Sequence, residues 1–255
     1  MTVKNIASRN NPIFKMFLRL LKGQGVKKYG AALLSGPKQV AEVLKDFPAR
    51  CAGFILPAEQ DVPQGILPEH CTIYHLDNHI FRDIDIYGTD RPILLVTVEG
   101  FPQWSCEDWS TGCTLFVPFQ DPVNVGAVIR SAAAFGVSRA VMLKEAAHPF
   151  HHKSTRVAGS TLLKIPIFRG PPIMDLDGAK TPIVTLSAKG RDAGGYRFPS
   201  TFGLLPGLEG PGLPSGLRQS ISLAIPMAPG VESINAALAT GIALYLWRSG
   251  LDRTP

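Results

Sequence analysis

Hydrophobic positions along this chain follow two rhythms, one helical and one of short apolar runs. In PIFKMFLRLLK, residues 12–22, Ile13, Phe14, Phe17, Leu18 and Leu21 recur at helical spacing with Lys15, Arg19 and Lys22 opposite, which predicts an amphipathic helix. GAALLSG then predicts a short strand, PKQVAEVLKDF a helix starting at its proline, and CAGFILP and CTIYHL two further strands. This αβαβ rhythm suits a small layered domain over residues 1–88. RPILLVTVEG is expected to open a second series, and the polar, turn-rich FPQWSCEDWSTG interrupts it, so residues 89–112 form a link into the second unit. From 113 to 255 the runs TLFVPF, AVMLK, PIVTLSA, TFGLLPG and SLAIP alternate with helical segments, the pattern of a parallel sheet covered on both faces.

One helix in the second series stands out. In DPVNVGAVIRSAAAFG, residues 121–136, Val125, Val128, Ile129, Ala132 and Ala133 make a core-facing stripe. Pro122 is placed to start the helix and Gly136 to stop it. Arg130 falls off the stripe between Ala127 and Ala134, so a long cation with only methyl groups beside it leaves room for a ligand. A solvent-exposed arginine and a helix-capping Asn124 describe this segment equally well when it is taken alone.

Composition narrows the class. The chain has 255 residues, 45% hydrophobic and 18% charged, which is globular and sufficient for one large or two modest domains. There is no run of about 18 apolar residues and MTVKNIASRN lacks a signal-peptide core, so a cytoplasmic location is expected. Cys51, Cys71, Cys106 and Cys113 show no C-x-x-C pairing and read as scattered reduced thiols. His148, His151 and His152 lack a suitably spaced carboxylate or cysteine, so HPFHH reads as a polar loop and no metal is expected.

Charge adds a partner. The net charge is +6, yet residues 1–50 hold ten basic side chains against Glu42 and Asp46 only, and the remainder sums to −2. Such a basic module on a near-neutral body suits a polyanion, docked through phosphate contacts that position rather than specify. Arg9, Lys15, Arg19, Lys27, Lys28 and Lys38 are the candidate phosphate contacts there. A solvated lysine-rich surface is the plainer alternative.

Three strand ends carry unusual loops, and ligands of parallel sheets gather at such carboxyl ends. FQDPVN precedes the arginine-bearing helix. LLPGLEGPGLP, residues 204–214, surrounds Glu209 with glycines and prolines that let a main chain approach a ligand closely. IPMAPGVESINAALATGIALYLW cannot be helical through Pro226 and Pro229, and Ser233 is a natural cap for a helix from Ile234, with Asn235 in its first turn.

Together these segments resemble the SpoU branch of the SPOUT RNA methyltransferases. DPVNVGAVIRSAAAFG is similar to the first family motif, GLEGPGL to the second and IPMAPGVESIN to the third, with STRVAGSTLLKIPIF similar to the linking segment. IASRNNPIFKMFLRLL and LLSGPKQVAEVL resemble the RNA-binding domain that often precedes this fold, although Ser35 stands where a Glu is usual. In the second motif Leu208 replaces a small or amide residue. The resemblance implies an α/β protein: a knotted (trefoil) parallel-sheet SPOUT methyltransferase domain preceded by a small α/β L30e-like RNA-binding domain. It implies 2′-O-methylation of a ribose in RNA from S-adenosyl-L-methionine, with ribosomal RNA ahead of transfer RNA as substrate, and a homodimer formed through the catalytic domain. The implied catalytic set is Asn124, Arg130, Glu209, Ser233 and Asn235, with Arg130 on the target phosphate and helping to remove the hydroxyl proton. Arginine is a reluctant base, and bidentate phosphate binding suits it better. Leu205, Gly207, Ile225, Met227, Ser233 and Asn235 are the implied cofactor contacts. A non-catalytic RNA-binding protein on the same scaffold is the competing reading. An ordinary nucleotide-binding protein finds neither a G-x-G-x-x-G nor a G-x-x-x-x-G-K-[ST] pattern in the chain.

Overall fold

The computed structural model describes residues 1–63, 65–176, 181–207 and 220–251. The chain divides into two units, one made of Met1–Gly100 with His148–Leu163 and the other of Phe101–Ala147 with Lys164–Pro255.

The first unit has a five-stranded sheet. Its strands are β1 (Thr2–Ile6), β2 (Ala31–Ser35), β3 (Cys51–Pro57), β4 (Thr72–Leu76) and β5 (Ile93–Thr97), in the order β1-β4-β3-β5-β2. β5 alone runs against its neighbours, pairing antiparallel with both β2 and β3. The helices are α1 (Pro12–Leu21), α2 (Val26–Tyr29), α3 (Pro37–Asp46) and α4 (Asn78–Ile84). Asn11 caps α1 by accepting from the Ile13 amide, and Pro12 follows at the position where its missing N–H is harmless. The stripe on α1 sends Phe14, Phe17 and Leu20 into the core, where Phe17 meets the Tyr74 ring edge-on at 5.3 Å.

Three sequence expectations are corrected here. The run ILLVT, expected to begin the second series, is β5 of the first sheet, because an apolar run reads alike in either sheet. Residues 148–163 also join the first unit, through α6 (His152–Ala158) and the turn after it. Thr155 donates to the Leu33 carbonyl at 3.0 Å, Gln39 donates to the Arg156 carbonyl at 3.1 Å, and Ser160 donates to the Glu42 carboxylate at 2.5 Å. Finally, all four cysteines are free thiols as expected, but Cys51 and Cys71 are not scattered: Cys51 opens β3, Cys71 precedes the neighbouring β4, and their buried sulfurs lie 3.1 Å apart. Two histidines of HPFHH accept backbone bonds, His148 Nδ1 from the Phe150 amide and His151 Nδ1 from that of Lys153.

Among its described residues the second unit has six strands, all parallel: β6 (Gly112–Val117), β7 (Arg139–Met142), β8 (Ile167–Arg169), β9 (Ile183–Asp192), β10 (Thr201–Leu205) and β11 (Ile221–Ala224). Their order is β11-β9-β10-β6-β7-β8. Helix α5 (Pro122–Phe135) links β6 to β7, and α7 (Ala236–Leu251) closes the described chain. Asp121 caps α5 by accepting from the Val123 amide at 3.0 Å, and Gly136 ends it in the left-handed conformation at φ 73°. Val125, Val128, Ile129 and Ala132 are buried as the periodicity requires. Trp104, Phe116, Val141 and Leu205 share one hydrophobic cluster of this unit.

Candidate functional site

In the second unit α5 and α7 pack side by side and start at the same edge of the sheet. Their far ends meet through Phe135 and Tyr245, whose rings lie 6.2 Å apart, and Trp247 packs on Phe202 of β10 at 5.8 Å. Both helix N-termini therefore sit at the carboxyl edge, where free backbone N–H groups and the positive ends of two helix dipoles favour a polar or anionic ligand.

Two asparagines join those ends. Asn235 Nδ2 donates to Asn124 Oδ1 at 3.1 Å, and Asn124 is only 8% exposed. Asn235 Oδ1 accepts from the Ala237 and Leu238 amides at 2.9 and 3.1 Å, and its carbonyl accepts from Ala239. Asn235 is thus the cap of α7, which begins at Ala236; the expected cap Ser233 lies two residues too early and is exposed. Asn124 is likewise no cap, since Asp121 fills that position, and it spends its buried carbonyl oxygen on the bond between helices.

This link fixes the path of the loop before α7. β11 stands three strand positions from β6, about 14 Å at the usual strand spacing. Residues 225–234 bridge that edge, from the end of β11 to the asparagine pair beside β6. Ile225 and Met227, both half-buried, and Ser233 belong to this bridge. Leu205 ends β10 fully buried, and Gly207 follows it. A Cβ on Gly207 would lie 2.7 Å from the Leu186 carbonyl oxygen, so the close backbone approach requires glycine.

Arg130 is exposed, six residues beyond Asn124 and so about 9 Å further along α5. Glu209 and Leu208 lie outside the described residues. Beside Arg130, Ala127, Ser131 and Phe135 of α5 face Leu238, Ile242 and Tyr245 of α7 across an open groove of about 440 Å³.

The basic candidates of the first unit are placed unevenly. Arg9 forks onto the Asp83 carboxylate at 2.7 and 3.1 Å, which holds that carboxyl below its usual range. Arg19 donates to the Tyr29 hydroxyl, Lys28 lies over the Tyr29 ring, and Lys38 is 4.0 Å from Glu42. Lys15, Lys27 and Lys28 are exposed.

Known proteins match this arrangement. The model of the SpoU rRNA Methylase family matches residues 114–245, from β6 into α7. A Syntrophobacter fumaroxidans protein named ribosomal RNA small subunit methyltransferase G 2 is 47% identical over 249 residues, 97% of this chain and 50% of that protein. The chain therefore spans half the length of that relative. The Bacillus subtilis 23S rRNA (guanosine(2553)-2′-O)-methyltransferase RlmP is 28% identical over 251 residues, 95% of this chain and 98% of that protein. The crystal structure of an AdoMet-bound rRNA methyltransferase from Sinorhizobium meliloti shares the fold, with a TM-score of 0.78 at 24% identity over 98% of each chain. Because the family match covers more than half of the chain and spans both asparagines of the helix link, this chain belongs to the SpoU rRNA methylase family.

Proposed function

We propose that the chain transfers methyl from S-adenosyl-L-methionine to a ribose 2′-hydroxyl of RNA, with ribosomal RNA as the substrate. The observation that carries this reading is the Asn124–Asn235 bond, which draws the first and third family motifs to one sheet edge. The neighbours in the family support the chemistry, since the Bacillus subtilis relative is named as a 2′-O-methyltransferase and the Sinorhizobium meliloti structure holds AdoMet.

The residues present suit the cofactor. Gly207 leaves the backbone bare where Leu205 leads out of the sheet, and Ile225 and Met227 give a half-buried, mostly apolar wall. With Ser233 and Asn235 they would hold the cofactor, which supplies an electrophilic methyl on a sulfonium. Asn124 and Asn235 keep the loops in register, so much of the acceleration comes from alignment of two bound reactants. Arg130 clamps the target phosphate with its planar fork, and Glu209 completes the polar set.

The wider architecture follows from the same reading. Residues 1–100 with 148–163, rather than 1–88 alone, act as the L30e-like RNA-binding domain, supported by the basic surplus of residues 1–50. The last helix passes through an earlier loop in a trefoil knot, supported by the crossing of residues 225–234 over the sheet edge. A homodimer forms through the α5–α7 groove, where Leu238 and Tyr245 are each 57% exposed. The protein works beside its RNA in the cytoplasm.

The decisive experiment is tritiated methyl transfer to unmodified small- and large-subunit ribosomal RNA and to transfer RNA, with nuclease mapping of the product. Label on a ribose oxygen of ribosomal RNA is expected. Binding of RNA with no transfer would make the chain a non-catalytic binder, and label confined to transfer RNA would change the substrate.

A further inference from the structure

The strand β9 departs from its neighbour part-way along. Ser222 of β11 faces Thr185, but Leu223 faces Arg191 and Ala224 faces Asp192, so residues 186–190 swing away from the edge before the strand returns. Gly190 makes the return possible. A Cβ there would come within 2.5 Å of the Leu223 carbonyl carbon and 2.8 Å of the Ala224 amide nitrogen, both backbone atoms that cannot yield.

Beyond the return the chain closes a tight turn. The Ala193 amide donates to the Ala224 carbonyl at 2.9 Å, the Gly194 amide to Asp192 Oδ1 at 2.8 Å, and the Tyr196 amide to the Ala193 carbonyl at 3.2 Å. The turn brings the Tyr196 ring back against the Arg191 guanidinium, 4.4 Å from the ring centroid. Behind it Phe198 meets Tyr196 at 4.9 Å, Phe202 meets Phe198 at 5.2 Å, and Trp247 follows at 5.8 Å. An exposed cation and a half-buried ring thus rest on a ladder of aromatics that reaches α7. Lys189 and Arg197 are exposed on the same segment, while the Asp192 carboxylate is engaged by the Gly194 amide. Three cations within nine residues stand out in a body that sums to −2 beyond residue 50.

We infer that Lys189, Arg191, Tyr196 and Arg197 form a stacking platform for an RNA nucleotide adjacent to the one that is methylated. A guanidinium lying on an aromatic ring offers a base a flat π surface and a phosphate a fixed cation, the pairing by which unpaired RNA is held. A solvated surface turn would need neither the ring beneath the arginine nor the aromatic ladder beneath the ring. The position fits as well: Arg191 pairs with Leu223, two residues before Ile225 and about 8 Å from it at ordinary strand spacing and rise. The platform rests on the reading of this chain as an RNA methyltransferase, and it locates a contact surface in the second unit rather than among the lysines of residues 1–50.

The test uses the full chain with Arg191→Ala, Arg191→Lys, Tyr196→Ala and Tyr196→Phe. Binding is followed by anisotropy of a short fluorescein-labelled oligoadenylate and by quenching of 2-aminopurine in the same sequence, beside methyl transfer to ribosomal RNA. Each alanine variant is expected to weaken RNA binding and raise the KM for RNA about tenfold, with kcat and cofactor affinity unchanged. Tyr196→Phe keeps binding and quenching, and Arg191→Lys keeps the salt dependence while losing quenching. Wild-type RNA affinity in both alanine variants, at an unchanged melting temperature, overturns the platform; so does Tyr196→Phe failing as badly as Tyr196→Ala. A wild-type chain that binds cofactor but neither binds nor methylates RNA overturns the functional reading itself.

Discussion

Asn235 Nδ2 lies 3.1 Å from Asn124 Oδ1, and the same Asn235 side chain caps α7 through its other end. One amide thus both starts a helix and ties it to another. The two duties separate by mutation. Asn235→Asp keeps the capping oxygen and loses the donor to Asn124, so it should lower methyl transfer strongly while changing stability by less than about 1 kcal/mol. Asn235→Ala loses both and should be destabilised by about 1–2 kcal/mol, read as a lower urea midpoint. Equal stability loss in the two variants would show that the bond between helices, not the cap, dominates.

Arg130→Ala should abolish methyl transfer and leave cofactor binding by calorimetry near wild type. Arg130→Lys should recover only part of the activity, because an ammonium cannot reproduce a bidentate phosphate clamp. Loss of cofactor binding in either variant would place the guanidinium on the cofactor instead.

If the α5–α7 groove is the dimer surface, a charge at its exposed centre should split the dimer. Leu238→Glu is expected to sediment as a monomer at concentrations where the wild type is dimeric, with its circular dichroism retained. A variant that stays dimeric would move the interface elsewhere.

A chain beginning at residue 89 should be insoluble, since it would retain β5 and α6 without the strands and helices that bury them. Charge reversal is the better probe of the basic module. Lys15→Glu with Lys27→Glu and Lys28→Glu should weaken RNA binding and flatten its dependence on salt, by about 0.7 in logarithmic slope for each phosphate no longer neutralised. An unchanged slope would mean that these lysines only face solvent.

His148 predicts an acid limit. Burial, and then Lys27 and His151 nearby, push its pKa down from 6.5 to about 4. The folded state holds it neutral, whereas the unfolded chain takes up a proton as the pH falls below 6.5. Its contribution is therefore complete above pH 6.5 and drains away between 6.5 and about 4. Urea midpoints should fall across that window, and fall less in His148→Asn.

How much of this was legible depended on whether the cause was local. Pro122 and Gly136 announce both ends of α5 within fifteen residues, and its apolar stripe is buried as written, although the cap is Asp121 rather than the expected Asn124. The Asn124–Asn235 bond spans 111 positions, and no local pattern joins two such distant amides. The third motif offers two good caps two residues apart, and the choice of Asn235 over Ser233 depends on a partner in another helix. ILLVT has the same composition whichever sheet it enters, so its antiparallel place between β2 and β3 was invisible. Residues 148–163 offered only a seven-residue helix, too short for its pattern to say which core receives it.

That last segment has a consequence for biosynthesis. Because α6 and the turn to Leu163 complete the body begun by residues 1–100, that body stays unfinished until the ribosome has also made β6, α5 and β7. At roughly 5–20 residues per second, several seconds separate emergence of the first portion from arrival of its missing piece. Throughout that interval the surface around Leu33 and Glu42 awaits its cover, and nascent protein is open to chaperones there.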